Sequence, residues 1–245
     1  MQIYPTVSDD RNFKATLLQN DIDRIVARIP SDLIEDVQHK RLVIAGGFIR
    51  SILRGEPIND IDLFKVKFNN FPGITANEDI LDEVDHIKLV HQEAIELSKE
   101  LGVGTFLTTE NAVSFEVYGH TETAPNEDHM KVQYIIKYTS PTVKDLLKKF
   151  DFTNSMAAIW WDPSNGWTSM CHNGFYKDLG TTSLTFNPDF EGDRIVLMKR
   201  FVKFTSKGWQ YTIRDFAKVI EAVSQERTDW HEIYRILAAN CYGVY

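Results

Sequence analysis

The sequence predicts an α+β fold, in which a small mixed sheet flanked by helices precedes a short all-helical segment. Apolar runs suited to strands alternate with helical patterns over roughly the first 190 residues. From Glu191 onward the pattern is helical as far as Asn240, with a break at Lys207-Gly208. We therefore expect a mixed head over residues 1–190 and a helical neck and tail over residues 191–245.

Four helices are predicted in the head from apolar residues spaced three and four apart and from signals at the helix ends. A further helix is expected where Ser140-Pro141 supplies a cap followed by proline. The four helices predicted from spacing and end signals are Phe13 to Arg28, a short helix that Ser31 can cap, Phe48 to Arg54 with Gly55 as its stop, and Asn77 to Leu101.

The strand predictions are short runs of apolar or alternating residues bounded by turn residues. A strong turn signal at Asp162-Pro163-Ser164-Asn165-Gly166 separates two segments near the end of the head. The predicted strands are Arg41 to Ala45, Asp60 to Val66, Ala112 to Val117, and Val132 to Tyr138.

Composition excludes several classes of protein. With 43% hydrophobic and 25% charged residues, the 245-residue chain has the make-up of an ordinary globular protein. No window approaches the ~20 apolar residues that a membrane span needs, and the N-terminus lacks the pattern of a signal peptide. Two cysteines, Cys171 and Cys241, do not make a disulfide framework. We therefore expect reduced thiols and a cytoplasmic location.

The net charge of -8 argues against a protein that holds long nucleic acid without sequence preference, because such proteins usually carry a basic surplus. A local basic stripe is still compatible with this total. Lys199, Lys203 and Lys207 are spaced four apart on one predicted helix. A solvated surface and a contact with RNA are equally good interpretations of that stripe.

The stretch from Val43 to Phe64 is the most informative, because it combines a strand, a glycine pair, a helix, a turn and a second strand with two acids. Side chains alternate across a strand, so Asp60 and Asp62 should face the same way while the apolar residues between and after them face the core. Two neighbouring carboxylates repel each other unless a cation lies between them. Mg²⁺ or Mn²⁺, which prefer oxygen ligands, suit that position.

The glycine pair fits beside such a metal site. Gly46 and Gly47 allow close approach of the backbone to a ligand, and the helix that follows presents free N–H groups to a phosphate. Arg50, one turn into that helix, could contact a phosphate or support Asp60 or Asp62. A lone D-x-D usually marks only a solvated strand end. The glycine pair, the helix and the two acids in this order are a more specific signal, and together they predict a triphosphate site beside a metal site.

These motifs resemble the signature of the polymerase-beta-like nucleotidyltransferase superfamily, in the form found in bacterial-type (class II) tRNA nucleotidyltransferases and poly(A) polymerases. The resemblance covers roughly residues 40 to 210. Beyond the glycine and D-x-D motifs, three segments carry it in the family's order. They are Thr109 to Phe115 with Val132 to Ile136, Asp151 to Ala157 with Trp161 to Gly166, and Asp193 to Phe201.

The resemblance implies a metal-dependent transfer of a nucleoside monophosphate from an NTP to a hydroxyl, with release of pyrophosphate. By analogy with the family, Asp60 and Asp62 hold Mg²⁺ or Mn²⁺, and the acceptor is an RNA 3′ end such as that of tRNA. Asp151 and Asn154 become candidates for the nucleotide pocket, although Asp151 could simply cap the next helix. Further candidates for contact with base or phosphate are Arg194 and Arg200.

The sequence also departs from the family pattern. Lys149-Phe150 stands where arginines usually precede the D-F-T segment, no E-D-x-x-R motif follows residue 200, and Gln133 takes the place of a third carboxylate. With the short helical tail, these departures favour an alternative, a compact toxin-like or phage-encoded enzyme that modifies a protein, a small molecule or a host tRNA. A second alternative is a catalytically inactive nucleotide-binding module, for which Gln133 is the main support.

Overall fold

A mixed sheet runs through the centre of the protein. The structure is a computed structural model that describes residues 12–66, 83–104, 106–118, 129–224 and 235. Within these residues seven strands pair in the order β3-β4-β5-β2-β1-β6-β7. Their bounds are β1 (Val43–Ala45), β2 (Ile61–Val66), β3 (Leu107–Thr108), β4 (Ala112–Tyr118), β5 (His129–Ser140), β6 (Ala157–Asp162) and β7 (Gly166–Cys171).

Strand β2 lies in the middle of the sheet and pairs differently on its two sides. It runs antiparallel to β1 and parallel to β5, and the other pairs in the sheet are antiparallel. On the parallel side Asp62 lies directly opposite Gln133. The four strand predictions are confirmed to within a few residues at their ends.

Helices cover both faces of the sheet. A short 3-10 helix, Thr153–Ser155, precedes β6. The α-helices are α1 (Gln19–Val26), α2 (Ser31–His39), α3 (Gly47–Arg54), α4 (Glu83–Leu101), α5 (Val143–Lys148), α6 (Phe175–Thr181), α7 (Arg194–Ser206) and α8 (Ile213–Ser224). None of the helices among the described residues is long and apolar enough to cross a membrane.

The alternation of side chains along the strands divides the apolar interior into two clusters. Ile61 and Leu63 belong to the larger cluster, together with residues of α1 to α4. Phe64 and Val66 belong to the smaller one, which α5 covers through residues such as Leu147. A strand whose alternate residues are buried on opposite faces is fixed in register, because a slip of one residue would exchange the two faces.

The first predicted helix is too long at its start. The structure places residues 13–18 in an extended segment, and α1 begins only at Gln19. Ala15 forms an antiparallel bridge with Cys171, and the Leu17 N–H donates to Ser169 Oγ over 2.9 Å. The helical spacing of the apolar residues was misleading here, because pairing with the otherwise open edge of β7 satisfies the backbone instead.

The capping predictions for two helices are also corrected. Ser140 is the last residue of β5, and α5 is capped by Thr142, whose Oγ1 accepts a hydrogen bond from the Asp145 N–H. Ser31 is the first residue of α2 rather than its cap, and its hydroxyl donates to the carboxylate of Asp32. Residues 77–82 of the predicted long helix lie outside the described residues.

The helical segment after residue 190 is confirmed as far as the structure describes it. Helices α7 and α8 are separated near Lys207-Gly208, as predicted, and of the residues beyond 224 only Arg235 is described. Leu197 and Phe204 of α7 lie in the same apolar cluster as the sheet. The division into a head and a neck near residue 190 therefore stays a prediction.

Candidate functional site

A polar cavity of about 180 Å³ opens where β2, β5, α3 and α7 meet. Each of these elements contributes at least one side chain that can bind a charged ligand. Its polar lining is Arg50, Ser51, Asn59, Asp60, Asp62, Gln133, Asp151, Ser155, Arg200 and Lys203.

Asp60 and Asp62 both line this cavity, while Ile61 and Leu63 are fully buried on the other side of the strand. The predicted alternation along the strand is thus confirmed. Burial, together with the nearby Asp60 carboxylate, raises the pKa of Asp62 to about 7. The two acids are therefore close enough to repel each other, and an opposite charge between them would relieve that repulsion.

The donor set fits a divalent cation of the Mg²⁺ type. Asp60 and Asp62 offer carboxylate oxygens, and Gln133 offers an amide oxygen from the position opposite Asp62. Among the residues that the structure describes, no group of three or more His, Cys, Asp or Glu side chains is placed to hold a metal ion. Any metal at this cavity would depend on two carboxylates, the Gln133 amide oxygen and oxygens that a ligand supplies.

The glycine pair brings the backbone close to the cavity. Gly46 has a φ of 86°, and a Cβ built at this residue would lie 2.7 Å from Cε1 of Phe150. Its N–H donates to the carbonyl of Ala157 in β6, which fixes the turn into α3. Gly47 is the first residue of α3 and lines the cavity. The sharp turn therefore needs glycine at position 46, and it directs the start of α3 toward the site.

Arg50 reaches the cavity wall but is already bound within the protein. It is only 6% exposed, and its Nη1 donates to Ser155 Oγ over 3.0 Å. Its Nε lies 3.8 Å from Glu56 Oε2, and its guanidinium stacks 4.8 Å from the ring centre of Phe204. Arg50 thus links α3 to the 3-10 helix and to α7, which is a bracing role in the geometry observed.

Asp151 and Arg200 form an ion pair at the edge of the cavity. Arg200 Nη1 lies 3.1 Å from Asp151 Oδ2, and Asp151 is 1% exposed. The carboxylate of Asp151 raises the pKa of Arg200 further. The side chain does not cap the following 3-10 helix, whose capping residue is Phe152. The pair joins the D-F-T segment, Asp151 to Thr153, to α7.

Two other predicted nucleotide-binding residues lie away from the cavity lining. Asn154 is fully buried and accepts a hydrogen bond from Ser155 Oγ, while its Nδ2 has no hydrogen-bond partner among the residues that the structure describes. Arg194 donates from Nη1 to the carbonyl of Phe190 over 2.8 Å and stacks on that ring. Neither side chain lines the cavity.

Sequence reasoning missed several residues that influence the site. Lys131 is close enough to lower the pKa of Asp62, as are Arg200 and Lys203. Lys131 lies two residues before Gln133 on β5 and so shares its face of the sheet. Ser155 and Phe204, which hold Arg50, line the cavity as well. Only Lys203 carried a signal in the sequence, as part of the stripe on α7.

The sequence family of the chain is known from a match over residues 16–182, which is well over half of the chain. The matching family is described as Gabija anti-defense 2 family protein. The chain belongs to the Gabija anti-defense 2 family. No curated protein sequence matches it.

Several solved structures similar to this Gabija anti-defense 2 family member are those of CCA-adding and tRNA-processing enzymes. The Thermotoga maritima CCA-adding enzyme complexed with tRNA has a TM-score of 0.56 and 18% identity, over 90% of this chain and 50% of that one. A CCA-adding enzyme with CTP has a TM-score of 0.56 and 18% identity, over 89% of this chain and 48% of that one. A tRNA-processing enzyme in an apo form has a TM-score of 0.55 and 17% identity, over 92% of this chain and 53% of that one.

These similarities confirm the predicted fold class. The protein is an α+β chain whose mixed sheet and flanking helices resemble the nucleotidyltransferase heads of CCA-adding enzymes. It spans about half the length of those chains. At such low identity the likeness is one of fold, and function has to be argued from the cavity itself.

Proposed function

We propose that this protein is a metal-dependent nucleotidyltransferase that moves a nucleoside monophosphate from an NTP to a hydroxyl acceptor and releases pyrophosphate. The observation that carries the proposal is the pair Asp60, immediately before β2, and Asp62, within β2, which line one cavity together with Arg200 and Lys203. Paired carboxylates beside cations suit a triphosphate that carries Mg²⁺ or Mn²⁺.

Each group at the cavity has a role in this reaction. Asp60 and Asp62 would hold the divalent ion, which when bound offsets negative charge on the attacking and leaving oxygens. Arg200 and Lys203, both on α7, would contact the phosphates from the opposite side. Asp151 keeps the guanidinium of Arg200 in place, so that little rearrangement is needed when the nucleotide binds.

The family description points to the acceptor. An anti-defense protein acts against a component of the Gabija defence, and a transferase can inactivate its target by attaching a nucleotide. The net charge of -8 agrees with a target other than long nucleic acid. We therefore propose the compact, phage-type enzyme as the first candidate, with NMP transfer to a component of that defence.

An RNA 3′ end is the second candidate acceptor. It is favoured by the likeness in fold to a CCA-adding enzyme complexed with tRNA. Incubation of the protein with each α-labelled NTP, Mg²⁺ or Mn²⁺, and either total RNA or the proteins of the defence would separate the two. Label that RNase removes indicates RNA, and label that protease removes indicates a protein.

The proposed activity is tested by pyrophosphate release across the four NTPs, comparing wild type with Asp60→Asn and Asp62→Asn. Wild type should release pyrophosphate only with a divalent metal, and both variants should lose the activity. Protection of phage from the Gabija defence in a plaque assay should depend on the same two residues. If plaque protection persists in both variants and no NTP is consumed, the protein is an inactive binding module, as Gln133 in place of a third carboxylate would suggest.

A further inference from the structure

A second, larger groove adjoins the cavity on the far side of the loop that carries Asp60. It measures about 790 Å³ and runs between α1 and the end of α3. One wall is formed by Arg24, Ala27 and Arg28, and the other by Ile52, Pro57 and Ile58. The proposed function assigns no role to this groove, which is more than four times the volume of the cavity.

The groove and the cavity share a boundary. Ser51, which is 3% exposed, lines both of them. The loop after α3 passes from one to the other, because Glu56, Pro57 and Ile58 line the groove whereas Asn59 and Asp60 line the cavity. Two residues of chain span at most about 7 Å. The groove therefore ends within reach of one side chain from Asp60.

The position of the loop is set by several contacts within the protein. The Glu56 N–H donates to the carbonyl of Ser51 over 2.8 Å. Its carboxylate lies 3.4 Å from Arg54 Nε and 3.8 Å from Arg50 Nε. On the opposite wall, Arg24 Nη2 donates to the carbonyl of Ile52 over 3.2 Å. The Arg24–Ile52 hydrogen bond joins the two walls directly, so these contacts together fix the spacing between them.

The chemistry of the groove suits a polypeptide better than a nucleic acid. Its four charged residues, Asp23, Arg24, Arg28 and Glu56, sum to zero, so it lacks the basic surplus that phosphates require. Arg24 forms an ion pair with Asp21 at 3.2 Å, and Glu56 forms an ion pair with Arg54. The remaining lining is largely apolar, from Ala27, Ile52, Pro57 and Ile58. Apolar side chains of a peptide can pack against these four residues, and the neutral charge balance leaves no surplus cation for a phosphate backbone.

From this continuity and charge balance we propose that the groove between α1 and the 55–58 loop binds a segment of a protein acceptor and delivers its side-chain hydroxyl to Asp60. The inference rests on the proposed transferase activity and names its acceptor class. In the reaction, the hydroxyl oxygen forms a bond to the α-phosphorus of the NTP. The bond from that phosphorus to the bridging oxygen breaks, pyrophosphate leaves with the electron pair, and the hydroxyl proton passes to solvent.

The test uses one substitution that fills the groove and a matched one that does not. Ala27 is half-buried at the end of α1 and lines the groove, so Ala27→Trp would occupy it. Ala217→Trp places the same ring at an exposed position of α8, away from both sites. The probes are a degenerate peptide library with a central Ser, Thr or Tyr and a single-stranded RNA of mixed sequence. Each is incubated with α-labelled NTPs and Mn²⁺.

Wild type is expected to label the peptides at least tenfold more than the RNA. Ala27→Trp should reduce peptide labelling at least tenfold, and Ala217→Trp should leave it within twofold of wild type. Binding of a fluorescent NTP analogue with Mn²⁺ should be the same in all three proteins. Labelling of RNA alone, peptide labelling that survives Ala27→Trp, or intact NTP binding without peptide labelling would overturn the groove assignment. Failure of wild type to bind any NTP would instead overturn the proposed function.

Discussion

Asp151 and Arg200 are 49 residues apart in the sequence and form an ion pair with an Nη1 to Oδ2 distance of 3.1 Å. The acid is almost fully buried, whereas the Arg200 side chain is 46% exposed. The pair ties α7 to the segment that precedes β6 and sets the position of a cation at the cavity edge. A buried carboxylate that keeps one charged partner is sensitive to the loss of that partner.

Arg200→Met is therefore expected to lower the free energy of unfolding by about 1–3 kcal/mol, because it leaves the Asp151 carboxylate buried without its cation. The double variant Asp151→Asn/Arg200→Met should lose less than the sum of the two single losses. Urea unfolding followed by circular dichroism measures the free energy of unfolding of the two single variants and of the double variant. Arg214→Met, on the exposed side of α8, is the control and should be close to neutral. Simple additivity of the single variants would contradict the pairing.

Asp60→Asn and Asp62→Asn should each reduce metal-dependent pyrophosphate release by at least about 100-fold, since a neutral amide holds a divalent cation far less well than a carboxylate. Release is measured with a coupled pyrophosphate assay at saturating NTP. Asp189 is an exposed acid outside the cavity lining, so Asp189→Asn should retain full activity. A rate within threefold of wild type in either cavity variant would be incompatible with the proposed mechanism.

Gln133→Glu would place a third acid directly opposite Asp62 on the neighbouring strand. Like charges in that position repel, so the variant should lose up to about 1 kcal/mol of stability without metal. Excess Mn²⁺ should recover the loss and raise the melting temperature more than in wild type, because a ligand that binds only the folded state stabilises it. Thermal unfolding with and without Mn²⁺ measures both effects. Gln133→Met, which adds no charge, should show no larger Mn²⁺ response than wild type.

Asp178 makes folding stability depend on pH. Burial raises the pKa of Asp178 to about 6 from an ordinary value of 3.8, and within the described part of the chain its Oδ2 has no hydrogen-bond partner. The folded protein holds this proton more tightly than the unfolded chain, so the stability it contributes is present below about pH 4 and is lost as the pH rises to about 6. Above that pH, Asp178→Asn should be more stable than wild type by on the order of 2 kcal/mol.

The comparison is made by urea unfolding between pH 4 and pH 7.5, and the difference between the two proteins should shrink toward the acidic end. Thr185 Oγ1 can still donate to the side-chain oxygen of the variant, as it does to Asp178 Oδ1 over 3.1 Å. Asp189→Asn serves again as the exposed control and should run parallel to wild type across this range. A difference that is constant with pH would show that Asp178 is ionised throughout.

Gly46→Ala should destabilise the protein by at least about 2 kcal/mol, because an L side chain is strained at its φ of 86° and the new Cβ would lie 2.7 Å from the Phe150 ring. Gly180→Ala is the matched control. That glycine lies within α6 with open space around it, so alanine should be neutral or stabilise by up to about 1 kcal/mol. Chemical denaturation of both variants gives the comparison, and equal effects would exclude a special role for Gly46.

Much of the fold could be predicted because its signals are local. Gly55 ends α3 in the left-handed conformation that favours glycine, with a φ of 66°, and the alternation of Asp60 to Leu63 shows one buried and one accessible side. The turn from Asp162 to Gly166 could be predicted equally well, because the Asp162 carboxylate accepts hydrogen bonds from the N–H groups of Ser164 and Asn165. In each case the residues that decide the structure are neighbours in the chain.

The failures have the opposite cause. Residues 13–18 carry a helical pattern, yet the edge of β7 pairs with them from more than 150 residues away. Thr142, and not Ser140, caps α5 because β5 continues as far as Ser140 in its pairing with β2. A local propensity worth a fraction of a kcal/mol yields to a backbone partner that the spacing of the sequence does not reveal.

The same division applies to the candidate site. The sequence by itself determined the glycine turn, the placement of the two acids at the start of β2 and the helical character of α7, since each follows from the geometry of adjacent residues. Only the tertiary structure decided that Arg50 is held by Ser155 and Phe204 and that Gln133 lies opposite Asp62. It also decided that Asn154 lies buried away from the cavity lining. Those relationships depend on which distant segments pack together, and packing minimises the free energy of the whole chain rather than that of any one segment.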